Sequence, residues 1–168
     1  MRNIYIVGYM ASGKTTLGKR LAEDLCLDFI DSDDYIEKRA GKTIAEIFIQ
    51  DGEDYFREQE RNFLSVLSTV KNTVIATGGG LPCHSDNMKF LNSVGETVFV
   101  NTPIDTIMSR LKAERETRPL VKGLNSKILP YFVKEHYAKR LPIYMQAKHI
   151  ISTEDDYAKL KDYLFELD

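Results

Sequence analysis

Gly8-Tyr9-Met10-Ala11-Ser12-Gly13-Lys14-Thr15 fills every fixed position of the pattern G-x-x-x-x-G-K-[ST]. The run Ile4–Val7 before it reads as a short buried strand, and Leu17, Leu21 and Leu25 after it recur at helical spacing. A strand that turns through glycines into a helix aims backbone N–H groups and the positive end of the helix dipole at one spot. That spot suits phosphate oxygens. Lys14 has the reach for β- and γ-phosphates, and the Thr15 hydroxyl is a ligand for Mg²⁺. Ala11, Ser12, Gly13, Lys14, Thr15 and Thr16 are therefore the candidate nucleotide-binding residues, with ATP and Mg²⁺ as the expected cofactors.

Outward from this stretch, short apolar runs alternate with helical patterns. The runs are Ile4–Val7, Phe29–Ile30, Thr73–Ala76, Thr97–Val100 and His149–Ile151. Strands separated by helices call for parallel pairing and a sheet covered on both faces, a three-layer α/β fold. Helix starts are marked by a Thr43-Ile44-Ala45-Glu46 capping box, by Thr102-Pro103, and by Ser152-Thr153-Glu154-Asp155. Lys112 to Lys127 stands apart: five basic residues, Pro119, Gly123 and weak periodicity predict a mobile basic excursion.

The 168 residues fit one domain, and 43% hydrophobic with 29% charged residues is an ordinary globular balance. A net charge of −2 gives no bulk attraction for nucleic acid or anionic lipid. No stretch approaches the roughly 20 apolar residues of a membrane span. Met1–Gly8 has one charge and too short an apolar run for a signal peptide, so a soluble cytoplasmic protein is expected. Cys26, within the first helical pattern, and Cys83, after a turn, read as free thiols.

A metal site in such a cradle needs an acid ending a second strand, and Phe29-Ile30-Asp31-Ser32-Asp33-Asp34 supplies it. Asp31 and Asp33 at i and i+2 on a strand point the same way. Asp31 can hold the metal through water, and Asp33 can hydrogen-bond or deprotonate an acceptor hydroxyl. A plain helix cap is the alternative for both. Arg57 and Glu60 share a helix face at i, i+3, which on spacing alone predicts a surface ion pair. Thr77-Gly78-Gly79-Gly80 has more glycine than a turn needs and suggests a ligand close to the backbone.

The phosphate pattern, Phe29–Asp33, Gly52-Glu53-Asp54-Tyr55-Phe56-Arg57, Thr77–Gly80, Arg118-Pro119-Leu120 and Lys139-Arg140-Leu141-Pro142-Ile143-Tyr144 stand in the order and spacing of one family. From about residue 4 to residue 153 the chain resembles shikimate kinases, P-loop enzymes of the nucleoside-monophosphate-kinase type. The resemblance implies one domain over 1–168 with a five-stranded parallel sheet, a substrate-binding helical region at about 33–61 and a lid at about 112–124. It implies transfer of the ATP γ-phosphoryl group to the 3-hydroxyl of shikimate, on the route to aromatic amino acids, by an enzyme that is mostly monomeric. It further implies Lys14, Asp33 and Arg118 in catalysis, with Arg118 on the lid, and Arg110 near the adenine. Arg57 and Arg140 would hold the substrate carboxylate, Gly79 and Gly80 would line the acceptor pocket, and Thr15 and Asp31 would serve the metal. Two arginines suit a carboxylate because guanidinium binds it bidentately.

Leu81-Pro82-Cys83-His84 departs from the family pattern, and Pro82 stiffens that pocket edge. Thr153 is a candidate for the last ATP-contacting loop, while His84, His136 and His149 are read as packing or surface residues. Two rivals remain: a P-loop kinase acting on gluconate or a nucleoside monophosphate, and a nucleotide-binding regulatory module without transfer activity. The second predicts damage at Lys14, Asp33 or Arg118, and all three fit the active pattern.

Overall fold

The computed structural model describes residues 2–114 and 121–167. In chain order the elements are β1 (Asn3–Val7), α1 (Lys14–Asp24), β2 (Asp28–Asp31), α2 (Ser32–Ala40), α3 (Ile44–Gln50), α4 (Gly52–Val66), β3 (Thr73–Ala76), α5 (Asn87–Val94), β4 (Gly95–Val100), α6 (Ile104–Glu114), α7 (Ile128–Tyr144), β5 (His149–Ile151) and α8 (Glu154–Glu166). A 3-10 turn spans Leu81–Cys83. The five strands coincide with the five apolar runs, and all pair in parallel in the order β2-β3-β1-β4-β5.

The pleat explains the three layers. Alternate residues of a strand point to opposite faces, so β1 sends Ile4 and Ile6 one way and Tyr5 and Val7 the other. Ile4 and Ile6 join Val74, Val98 and Val100 beneath α1 and α8, where Leu21 and Leu160 cover them. Tyr5 and Val7 join Ile75 and Phe99 on the opposite face, covered by Phe63, Leu91, Ile107 and Val133 from α4 to α7. β1, β3 and β4 are buried along their whole lengths, which is why they read as continuous apolar runs rather than alternating ones. A third, separate cluster of Ile36, Ile47 and Phe56 ties α2, α3 and α4 together beside the sheet.

Parallel strands all end on the same edge. The chain from β1 to β3 builds one side of the sheet, and β4 and β5 build the other, so a crevice opens above the carboxyl end of β1. The phosphate pattern follows β1, the acidic stretch follows β2 and the glycine triplet follows β3. Topology alone gathers them.

Two expectations change at element ends. The first helical pattern runs through Cys26, yet α1 stops at Asp24, and Cys26 is exposed with φ of 53°. The Leu27 N–H bonds back to the Ala22 carbonyl at 2.8 Å and closes the helix there. The basic excursion expected from Lys112 is also shorter than its pattern. Lys112 to Glu114 complete α6, and Val121 is fully buried in the core beside Leu129. Among the described residues no helix is long and apolar enough to cross a membrane.

Gly95 shows how closely β1 and β4 are packed. A Cβ there would overlap the Asn3 carbonyl oxygen, which belongs to the strand backbone, and stand 2.6 Å from Cε2 of Tyr5, a fully buried ring with no space to yield. Gly95→Ala is expected to lower unfolding free energy by about 3 kcal/mol, as for overpacked cores, read from the midpoint of urea denaturation.

Candidate active site

The phosphate loop carries its conformation in three residues. Gly8 and Gly13 have φ of 150° and 96°, and Ala11 has φ of 58°, a left-handed value that is costly with a Cβ. Gly13 opens α1 with no side-chain cap and no acid in the first turn. By contrast, Asp31, Thr43 and Thr153 cap α2, α3 and α8 with their own oxygens. The first N–H groups of α1 are thus left to an external anion. Lys14 Nζ lies across the loop and donates to the Tyr9 carbonyl at 2.8 Å. The Thr102 hydroxyl donates to the Ser12 carbonyl at 2.7 Å and Arg110 Nη1 to the Ala11 carbonyl at 3.0 Å, so α6 braces the loop from outside.

Asp31 caps the next helix, one of its two expected roles, and also bonds the phosphate loop. Its Oδ1 caps α2, accepting from the Asp33 N–H at 3.0 Å, and its Oδ2 accepts from the Thr15 hydroxyl at 2.8 Å. Asp33 does not continue the strand, as the i, i+2 reading assumed, but sits in the first turn of α2. Helical placement still turns it toward the crevice. Ser32 between them is fully buried and accepts from the Gly78 N–H at 2.7 Å, pinning the glycine triplet to the acidic stretch.

Each glycine of the triplet meets a different group. A Cβ on Gly78 would stand 2.6 Å from Oδ1 of Asp33. One on Gly79 would stand 3.2 Å from the Met10 nitrogen and 3.3 Å from the Gly8 oxygen, and one on Gly80 would stand 2.8 Å from Nη1 of Arg57. Substitution at any of the three would push apart the acid, the phosphate loop or the arginine.

Arg57 and Glu60 are paired, but not on the surface as their spacing predicts. Their side chains are 11% and 2% exposed, and Nη1 donates to Oε2 at 2.6 Å. Glu53 binds the same guanidinium from the solvent side at 3.0 Å. Phe56 and Phe63, flanking the pair on α4, are buried and carry it inward. Burial raises the Glu60 carboxyl to about 7, with Arg57 opposing the rise. Arg140 enters from α7, itself buried, and its charge reaches Glu60, Cys83 and Tyr144. Burial and the two arginines hold His84 below its ordinary range.

These groups line one cleft of about 910 Å³, with the phosphate loop at its middle. Asp33, Arg57, Gly79, Gly80 and Arg140 stand at one end, Arg110 and Thr153 at the other. Arg118 lies outside the described residues. His149 bonds Glu96 at 3.0 Å, at the opposite end of the strands. Among the described residues no cluster of three or more His, Cys, Asp or Glu side chains could hold a metal. Sequence reasoning missed Ser32, the burial of Glu60, and Tyr144, whose hydroxyl donates to the Gly79 carbonyl at 2.7 Å. Only the buried Phe56 and Phe63 around Glu60 offered a signal.

Unfolded Glu60 releases its proton near 4.5 and folded Glu60 near 7, so the folded state holds the extra proton between those values. Its contribution to stability is fully present below about pH 4.5 and lost as pH rises through about 7, on the order of 3 kcal/mol. Urea midpoints across that range are expected to fall in the native chain and to flatten in Glu60→Gln.

A model of the shikimate kinase family matches residues 10–166. A shikimate kinase of Persephonella marina is 46% identical over 154 residues, covering 92% of this chain and 90% of the relative. The crystal structure of shikimate kinase from Bacteroides thetaiotaomicron superposes with a TM-score of 0.88 at 41% identity, over 97% of this chain and 98% of that one. Shikimate kinase from Acinetobacter baumannii, solved in complex with shikimate, gives 0.87 at 35% identity, over 98% and 93%. The chain therefore belongs to the shikimate kinase family, and it is an ATP-dependent kinase with the P-loop fold of that family.

Proposed function

We propose that the chain transfers the γ-phosphoryl group of ATP to the 3-hydroxyl of shikimate, giving shikimate 3-phosphate and ADP on the route to chorismate and the aromatic amino acids. The observation that carries this reading is the cleft in which a phosphate loop faces Asp33, the half-buried Arg57 and the buried Arg140 across a glycine triplet. The relative solved with shikimate supports the choice of acceptor.

The backbone of Ala11 to Thr16 receives the phosphates, and Lys14 moves from the Tyr9 carbonyl onto the β- and γ-oxygens. Arg110 serves the nucleotide from α6. Arg57 and Arg140 grip the acceptor carboxylate, which selects an acid over a neutral polyol. Gly79 and Gly80 let the acceptor ring approach the backbone. Asp33 then hydrogen-bonds the 3-hydroxyl, orients its oxygen on the γ-phosphorus and takes up its proton as the new P–O bond forms. The bond to the β-phosphate oxygen breaks and ADP leaves. Arg118, on a lid at about 112–124, neutralises charge on the transferring group, and closure excludes water as a competing acceptor.

Thr15 and Asp31 suit Mg²⁺: both offer hard oxygen, and this ion keeps water and phosphate oxygens as its remaining ligands. Bound there, it supplies charge neutralisation on the β- and γ-oxygens. The reading includes a monomer of one domain over 1–168, placed in the cytoplasm where ATP is the cosubstrate.

ADP release from MgATP tests the reading with shikimate, gluconate and nucleoside monophosphates at matched concentration. Turnover confined to shikimate is expected, and activity with another acceptor alone would overturn the pocket assignment. Arg57→Ala is expected to raise the KM for shikimate about 100-fold, the scale of losing one desolvated charged contact, while the KM for ATP changes little. Equal rises in both would remove Arg57 from the acceptor site.

A further inference from the structure

α7 presents His136, Arg140 and Tyr144 at four-residue intervals, so the three side chains lie one above another on one helix face. Arg140 reaches the acceptor end of the cleft. Its two neighbours in the row hold other parts of the site. Tyr144 donates to the Gly79 carbonyl at 2.7 Å. His136 Nδ1 lies 2.8 Å from the hydroxyl of Tyr9, a residue of the phosphate loop that is 1% exposed. Gly79 itself packs on the Gly8 carbonyl and the Met10 nitrogen, either side of Tyr9. The contacts close a ring from phosphate loop to α7, to the glycine triplet and back to the phosphate loop. Arg140 sits midway between two anchors about 12 Å apart along the helix.

The Tyr9 end is built for direction as well as packing. The Tyr9 ring meets His136 edge-on at 5.6 Å and Tyr137 at 5.4 Å, while Phe132 stacks on His136 at 5.2 Å. Burial keeps the Tyr9 hydroxyl protonated. Burial, with the charges of Arg140 and Lys139, holds His136 down to about 4. At neutral pH the imidazole is therefore uncharged, and its Nε2–H tautomer lets the tyrosine hydroxyl donate to Nδ1. The backbone carbonyl of the same tyrosine accepts from Lys14 Nζ.

We propose that Tyr9 and His136 are positioning residues for phosphoryl transfer, whose hydrogen bond fixes α7 against the phosphate loop and thereby sets where Arg140 holds the acceptor. Neither touches the reacting atoms. The inference rests on the reading of Arg140 as an acceptor-binding residue. It assigns to the pair the distance between nucleotide and acceptor.

Two substitutions separate hydrogen bonding from ring packing. His136→Phe keeps a ring for Phe132 to stack on and removes the acceptor, whereas His136→Asn removes the ring and puts Oδ1 where Nδ1 stands. Tyr9→Phe removes the donor alone. His136→Phe and Tyr9→Phe are each expected to raise the KM for shikimate about fivefold, the scale of one hydrogen bond, with less than a twofold change in the KM for ATP. The double variant is expected to match either single one, because both remove the same bond. His136→Asn is expected to stay within twofold of the native KM. Thermal melting of each variant shows whether it is folded, and Tyr9→Phe stands as the test should a His136 variant fail to fold. A normal KM in Tyr9→Phe, additive losses in the double variant, or loss in His136→Asn with none in His136→Phe would each overturn the proposal. The native chain is the control. No turnover with shikimate there would unseat the reading of the site, while normal turnover with unchanged variants would unseat the coupling alone.

Discussion

The backbone after β3 lies against the backbone of the phosphate loop, with room at Gly79 for a hydrogen atom and little more. Everything else in the cleft is referred to that contact. A side chain at Gly79 would lift the glycine triplet from the loop, and with it the N–H that Ser32 holds and the carbonyl that Tyr144 holds. Asp33 and Arg57 follow, since Gly78 and Gly80 let them approach the same segment from two directions. The spacing between a phosphate donor and its acceptor must be set to a fraction of an ångström for transfer to be fast. Backbone packed on backbone is the stiffest means a protein has for that, because no rotamer can relax it.

Charge is arranged around this frame so that the arginines are held but not satisfied for good. A buried carboxylate such as Glu60 and an exposed one such as Glu53 grip Arg57 from opposite sides. The Glu53 contact, open to solvent on its carboxylate side, is worth about 1 kcal/mol or less. An incoming carboxylate can replace it at small cost. The buried pair is different: losing either partner leaves a charge in a dry place, a matter of several kcal/mol. Glu60 thus keeps the guanidinium in place, and on the proposed reading Glu53 is the contact that the acid substrate displaces. Burial lifts the Glu60 carboxyl toward neutral pH, with Arg57 opposing the rise.

Much of this was legible in the sequence, for reasons that differ from element to element. The three central strands were visible because parallel strands buried on both faces leave an apolar run, whereas the edge strands β2 and β5 showed only as short runs between helical patterns. The capping box at Thr43 forms as its spacing predicts, since it is local and needs no tertiary help, while at Thr153, read only as an acidic helix start, the structure adds a second box closed by Asp156. Asp33 was misplaced on a strand because the Asp31 side chain caps a helix that starts one residue later, and two acids in a row fit either reading. Arg57 and Glu60 were spaced like a surface pair, yet Phe56 and Phe63 on the same helix carry them into the cleft. Local spacing shows that two charges meet, and only tertiary packing shows in what medium. Cys26 fell outside its helix because the Leu27 N–H found the Ala22 carbonyl, a closure that apolar periodicity does not register.

The face of α7 shows why the remainder stayed hidden. His136, Arg140 and Tyr144 are four apart, a spacing any helix can display, and histidine or tyrosine on a buried face is ordinarily packing. Their significance comes from what lies opposite: a phosphate-loop tyrosine 127 residues away and a glycine carbonyl 65 residues away. Such contacts connect the ends of strands that the sheet topology has brought together, so they exist only once the fold does. An arginine on a long flexible side chain is a poor ruler by itself. Mounted on a helix pinned one turn above and one turn below, it becomes a good one, and on the proposed reading the acceptor end takes its geometry from groups that never touch the acceptor.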